Sequence, residues 1–211
     1  IKALEDSSLE MLFGRVHPFM RLEEQPNDVQ CLELIQRTQG VSRGYPAVSV
    51  LTYMRRHFLP RTRAHYNAAM LSAAVSGNPE SVEHLFEWIE DEGLEIDSFA
   101  RSALVLAIGN QLRDSSPEDE DRASIEANLA RAWDMITAVG GTPTAEAYTG
   151  MLCAFAARSR DAVTTEEAKE QVQQADQLRA SLIAAGVEET ATMRENLRDV
   201  LAPAGFPLRI E

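Results

Sequence analysis

Lysine is nearly absent from this chain: of its 20 basic residues only Lys2 and Lys169 are lysine, the rest arginine. Cysteine is scarce too. Cys31 and Cys153 are its two cysteines, without CxxC or zinc-ligand spacing, so neither a disulfide framework nor a zinc module is encoded. Both fall on predicted helices and are expected to be reduced core residues. The four histidines (His17, His57, His65, His84) show no HxxxH or HExxH spacing. No G-x-S-x-G elbow and no Gly-rich phosphate loop occur, Gly140-Gly141 standing alone at a helix end. Long apolar runs are missing as well. Ala103–Ile108 spans six residues, far below the roughly 20 that a membrane-crossing helix needs. The expected catalytic, cofactor-binding and metal-ligating residues are therefore none.

What is abundant is acid. The net charge is −13, and it is unevenly placed. Residues 1–63 hold nine Lys/Arg against seven Asp/Glu, a balance of +2; residues 64–211 hold 11 against 26, a balance of −15. The densest run, Glu118–Asp121, has the hard oxygen donors that divalent cations favour, but lacks the turn glycine of an EF-hand loop. It is expected to be a solvated helix start. His65 and His84 are expected to be partly exposed helix residues.

The chain is organised around residues 63–97. Tyr66, Ala69, Met70, Ala73 and Ala74 share one face of a predicted helix. Ser76-Gly77-Asn78-Pro79 breaks it, with Asn78 suited to an N-cap and Pro79 to the first helical position. A second helix aligns Val82, Leu85, Phe86 and Ile89, and Gly93 suits a left-handed cap at its end. Neither helix can hide its apolar stripe alone.

This stretch resembles the pentatricopeptide repeat (PPR) family, whose 35-residue unit carries Tyr-Asn in helix A, a Gly between helices, Ala…Leu-Phe…Met in helix B and a Gly-x-x-Pro-Asp ending. Here those places hold Tyr66-Asn67, Gly77, Val82…Leu85-Phe86…Ile89 and Gly93-Leu94-Glu95-Ile96-Asp97, with Ile89 for Met and Ile96 for Pro. A repeat predicts copies at its period. Val50-Leu51…Met54 lies 35 residues before Leu85-Phe86…Ile89, and Leu34-Ile35 lies 35 before Ala69-Met70. Forward, Gly141-Thr142-Pro143-Thr144 repeats the ending after 47 residues, and Thr190 closes a further unit after 46.

The resemblance implies an all-α, right-handed solenoid of four helix–turn–helix repeats, residues 28–62, 63–97, 98–144 and 145–190. Residues 1–26 are expected to form an N-terminal capping helix and linker, and 191–211 a C-terminal capping helix and tail. Helix A and helix B are predicted at 28–37 and 47–57, then 98–110 and from Pro117 to about Val139, then 145–157 and from the capping box at Thr164 to Ala185. Phe58, where the family has Gly, predicts an irregular junction.

The family mostly binds single-stranded RNA, one base per repeat, chosen by the fifth and last residues. The resemblance therefore offers Asn67 with Asp97 as a base-reading pair. The other repeats offer Leu32/Thr62, Ser102/Thr144 and Thr149/Thr190, of which Leu32 cannot hydrogen-bond a base. Acidity also opposes phosphate binding. The basic exception is Arg55-Arg56-His57 with Arg61 and Arg63, read either as cations at a helix C-terminus or as a partner-docking patch. Architecture, length and implied compartment further resemble PPR-like subunits attached outside the F1 head of euglenozoan mitochondrial ATP synthases. That resemblance implies a non-catalytic subunit in the mitochondrial matrix, its presequence removed, with the F1 α subunit as the favoured partner. An RNA-associated or mitoribosomal role is the alternative.

Overall fold

Asn27, Thr62, Asp97, Thr144 and Thr190 each stand immediately before a helix, in extended backbone. The side chains of Asn27, Asp97 and Thr190 each take up a donor of the first turn. Asn27 accepts from the Gln30 N–H at 2.9 Å, Asp97 from Ala100 at 2.9 Å and Thr190 from Met193 at 3.2 Å. A computed structural model describes residues 26–39, 45–138 and 141–205. Among the described residues all regular structure is helical, in nine helices. In chain order they are α1 (Asp28–Arg37), α2 (Tyr45–Arg56), α3 (Arg63–Val75), α4 (Pro79–Asp91), α5 (Ser98–Asp114), α6 (Arg122–Thr137), α7 (Ala145–Asp161), α8 (Thr165–Ala184) and α9 (Ala191–Leu201). No described helix is long and apolar enough to cross a membrane. The expected N-terminal capping helix and the last residues of the tail lie outside the described residues, as does most of the turn around 40–46.

The chain divides into two compact units, 1–96 and 97–211. In the first, α1 packs on α2 and α3, and α3 on α2 and α4. Cys31, Leu34 and Ile35 of α1 meet a core that includes Val50, Leu51 and Met54 of α2, all fully buried. Asn78 caps α4 through the Ser81 N–H at 3.1 Å, with Pro79 at the first position.

In the second unit α5 packs on α6 and α7, while α7 and α9 pack on each other and on α8. Helices α5 and α7 meet backbone to backbone. A Cβ built on Gly109 would lie 2.1 Å from the Gly150 carbonyl oxygen, and one on Gly150 would lie 2.4 Å from that of Val105. Only glycine permits this approach. Around it α7 buries Leu152, Cys153 and Phe155, and a layer of Leu178, Leu182, Met193, Leu197 and Val200 closes the α7–α8–α9 core.

Several expectations are corrected. Pro117 does not start a helix. The Asp119 carboxylate accepts the Ser116 N–H at 2.7 Å, and successive turns close from Asp119 N–H to the Ser116 carbonyl and from Arg122 N–H to the Asp119 carbonyl, each at 3.1 Å. The short acidic side chain thus outcompetes the helix for its own backbone, and the acidic run precedes α6 rather than opening it. Arg122 then anchors the true start, donating to Asp161 at 2.7 Å and to the Ser115 carbonyl at 3.3 Å. Phe86 is half-buried, one position off the Val82–Leu85–Ile89 stripe that the core takes. His65 is buried, not partly exposed: its Nδ1 accepts the Thr62 N–H at 3.2 Å, so the ring proton sits on Nε2 and donates to the Asp28 carbonyl at 2.9 Å. His84 is exposed, as expected. Helices α5 and α7 run a turn past their predicted ends at 110 and 157.

Candidate docking surface

The arginine cluster lies at the C-terminal end of α2 and in the turn that follows. Helix α2 ends in a Schellman cap: Leu59 N–H returns to the Met54 carbonyl at 2.9 Å and Phe58 N–H to that of Arg55 at 3.4 Å. The same bonds close α4 at Gly93 and α8 at Gly186, whose φ values are +69° and +71°. Phe58 takes that left-handed conformation too, at φ +54°, where any side chain costs about 1–2 kcal/mol relative to glycine. The junction expected to be irregular is therefore regular, with the wrong residue type in it. Phe58 gains nothing by packing, since it is 93% exposed.

Three of the four candidate arginines reach the corresponding end of α4. Arg55 pairs with Asp91 at 3.2 Å and lies over the Trp88 ring, 5.3 Å from its centroid. Arg61, largely buried, holds Glu92. Arg63 donates to the Glu95 carbonyl at 3.0 Å. Arg56 is exposed beside them. Beneath the Arg61–Glu92 pair, the Tyr66 hydroxyl is buried without a full hydrogen bond of its own. Burial, then the neighbouring Glu92 carboxylate, push this phenol up to about 12. The cluster thus clasps two helix ends as well as presenting cations. Aromatic rings surround it: Tyr53 and His57 at 4.2 Å, His84 edge-on to Trp88 at 4.8 Å. The sequence signal that could have marked this surface is Phe58, which stands 35 residues before Gly93.

The base-reading positions fare differently. Ser102 is fully buried and its Oγ accepts the Thr144 N–H at 3.2 Å. Thr149 is buried and donates to the Ala145 carbonyl at 2.7 Å, within its own helix. Leu32 is half-buried. Asn67 is half-buried on α3, and Asp97 is the N-cap of α5. All the partners assigned from repeat ends, Thr62, Asp97, Thr144 and Thr190, precede helices as caps. Cys31 and Cys153 are free and buried. Among the described residues no group of His, Cys, Asp or Glu is placed to hold a metal ion.

Comparison with known protein families and with curated proteins returns no match.

Proposed function

We propose that the chain is a non-catalytic PPR-like interaction subunit of a mitochondrial complex, most specifically a peripheral subunit docked on the F1 head of ATP synthase through its α subunit. In this reading residues 28–190 form four PPR-like repeats in a right-handed solenoid, residues 191–211 cap it, and the protein works in the mitochondrial matrix. The helix starts at 28, 63 and 98 support the repeat phase, two steps of 35 residues. The observation that carries the preference for protein over RNA is the burial of Ser102 and Thr149. Their hydroxyls are spent inside the fold, and a base cannot reach them. The balance of −15 beyond residue 63 acts in the same direction, because phosphate binding is supplied mainly by cations.

The test is gentle native purification of the tagged protein from mitochondria, nuclease treatment, and mass spectrometry of what stays bound. F1 subunits in fixed stoichiometry through high salt are the expected result. Ribosomal proteins, or material lost to nuclease, would move the assignment to the alternative, an organellar RNA-associated or mitoribosomal protein. One residue favours that alternative: Asn67, which the family resemblance pairs with Asp97 for base reading, is only half-buried on α3.

A further inference from the structure

We propose that Ser115 is a phosphoacceptor for an acid-directed serine kinase, and that its phosphate takes Arg122 from Asp161. The site lies in the loop between α5 and α6 and is independent of which complex the chain joins. Residues 115–121 stand outside both helices, and Ser116 to Asp121 are all exposed. Ser115 is half-buried, the first residue past the end of α5. Helix ends fray, so the segment that a kinase must extend begins where the fold yields most easily. Glu118, Asp119, Glu120 and Asp121 follow Ser115 at the third to sixth positions, where a cationic peptide groove reads them. Asp119 accepts the Ser116 N–H, while Asp121 makes no cap bond although it stands in the cap position.

Two guanidinium groups already attend the acceptor. Arg122 donates to Ser115 Oγ at 3.2 Å and to its carbonyl at 3.3 Å, and Arg160 reaches the same carbonyl at 3.4 Å. Both are answered, and by one carboxylate: Asp161 accepts from Arg122 at 2.7 Å and from Arg160 at 2.8 Å. Phosphorylation therefore works by exchange rather than by filling an empty cationic site. The Ser115 hydroxyl now donates to the Leu112 carbonyl at 2.8 Å. In the transfer its proton passes to the catalytic carboxylate of the kinase and Oγ bonds the γ-phosphorus of ATP. ADP leaves with the electron pair of the broken bond. The phosphate brings about −1.5 to −2 charges and three acceptor oxygens. Arg122, already on Oγ, gains a stronger partner than Asp161, and that pairing offsets the repulsion from the acids downstream. Asp161 keeps Arg160, but the tie between the start of α6 and the end of α7 is given up. Ser116 is the poorer acceptor: its Oγ accepts the Glu118 N–H at 3.4 Å, and among the described residues no cation bonds it.

The test incubates the folded full chain with a purified acid-directed serine kinase, ATP and Mg²⁺, and maps the product by mass spectrometry. One phosphate is expected, on Ser115, and none in Ser115→Ala. Glu118→Gln, Glu120→Gln and Asp121→Asn combined should slow incorporation at least about tenfold, since all three side chains face solvent and serve recognition alone. No incorporation, incorporation at Ser116 instead, or an unchanged rate in the triple variant overturns the proposal. The exchange is read by phosphorus NMR. A guanidinium favours the dianion, so the folded phosphoserine should titrate below the value of about 6 for an unpaired one and move back up in urea. Titration at the same pH folded and in urea overturns the pairing with Arg122. The chain purified from its own cells under phosphatase inhibition should yield the Ser115 phosphopeptide, and its absence there overturns the assignment.

Discussion

Gly109→Ala is expected to destabilise the second unit, against the usual benefit of alanine in a helix. On an open helix surface the change would gain about 1 kcal/mol. Here the new methyl carbon would stand 2.1 Å from the Gly150 carbonyl oxygen and 2.6 and 2.7 Å from its carbonyl carbon and Cα. Every one of these is backbone, so no side chain can swing aside. Restoring an ordinary 3.4 Å contact requires about 3.4 − 2.1 = 1.3 Å of movement between α5 and α7. That movement loosens the neighbouring layers of both helices, including Val105 and Leu152. Overpacking against rigid surroundings costs about 1–3 kcal/mol and sometimes more. Taking the upper end, about 3 kcal/mol, because every clashing atom is backbone, and subtracting the propensity gain leaves a net loss of about 2 kcal/mol, which lowers Tm by about 5–10 °C in a unit this size. Thermal and urea melts by circular dichroism measure it, with Asn128→Ala on the exposed face of α6 as the control for helix propensity. Gly150→Ala should cost as much, its Cβ meeting Val105 O at 2.4 Å. The double variant should cost less than the sum, since one separation relieves both clashes. A Gly109→Ala protein that melts at or above the parent would refute the close approach of α5 and α7.

Leu85→Ala removes a fully buried side chain and should cost about 2–5 kcal/mol, whereas Phe86→Ala, half-buried, should cost about half that or less; equal losses in urea melts would put the α4 stripe in the wrong register. Burial, then Asp28, push the Cys31 thiol up to about 11, and burial, then Glu92, push Tyr66 up to about 12. Both hold their protons more tightly folded than unfolded, so the stability they supply is complete below about pH 9 and falls as pH rises from about 9 to 11 for Cys31 and from about 10 to 12 for Tyr66. Urea midpoints measured across that range should decline, and Cys31→Ala should flatten the first part of the decline. Single-stranded RNA should show no saturable binding tighter than about 10 μM at physiological salt, and Asn67→Ala should leave the isotherm unchanged; tight, salt-steep binding lost on that substitution would reverse the assignment. Arg55 with Arg56 changed to glutamate should leave folding nearly intact, because an exposed pair such as Arg55–Asp91 is worth at most about 1 kcal/mol, while docking is lost. Unchanged docking would leave the arginines a purely internal role.

Helix positions were legible in the sequence wherever a local signal decided them. Asn78-Pro79 placed the start of α4, Gly93 and Gly186 the ends of α4 and α8, and Thr164 with Glu167 the start of α8. Each of these acts within three or four residues of itself. The misreadings share the opposite character. Ser116-Pro117 resembled a helix start, but which of Ser116, Asp119 or Asp121 wins the local backbone depends on where Arg122 finds Asp161, a residue 39 positions away. His65 resembled a surface histidine because its second partner, the Asp28 carbonyl, lies 37 positions back. Phe86 shared an apolar run with Leu85, and only the packing of α4 decided between the two faces.

The candidate site was legible in residue type but not in use. Four arginines close together predicted a cationic patch; the structure shows that the patch also ties α2 to the end of α4. The repeat-end residues show the same shift. Thr62, Asp97, Thr144 and Thr190 occupy the places from which the family resemblance would have them read bases, and the fold uses them to begin helices. In α7 no residue before Arg160 is exposed, and in α5 none before Asp114. Helices enclosed to that degree present little polar surface along their length, and Arg113 and Arg160, with side chains 39% and 50% exposed, sit in the last turns paired with Asp114 and Asp161. At the end of α2 the chain keeps a strained, solvent-facing phenylalanine where glycine would be the more stable choice. Folding stability therefore does not account for the residue type at position 58.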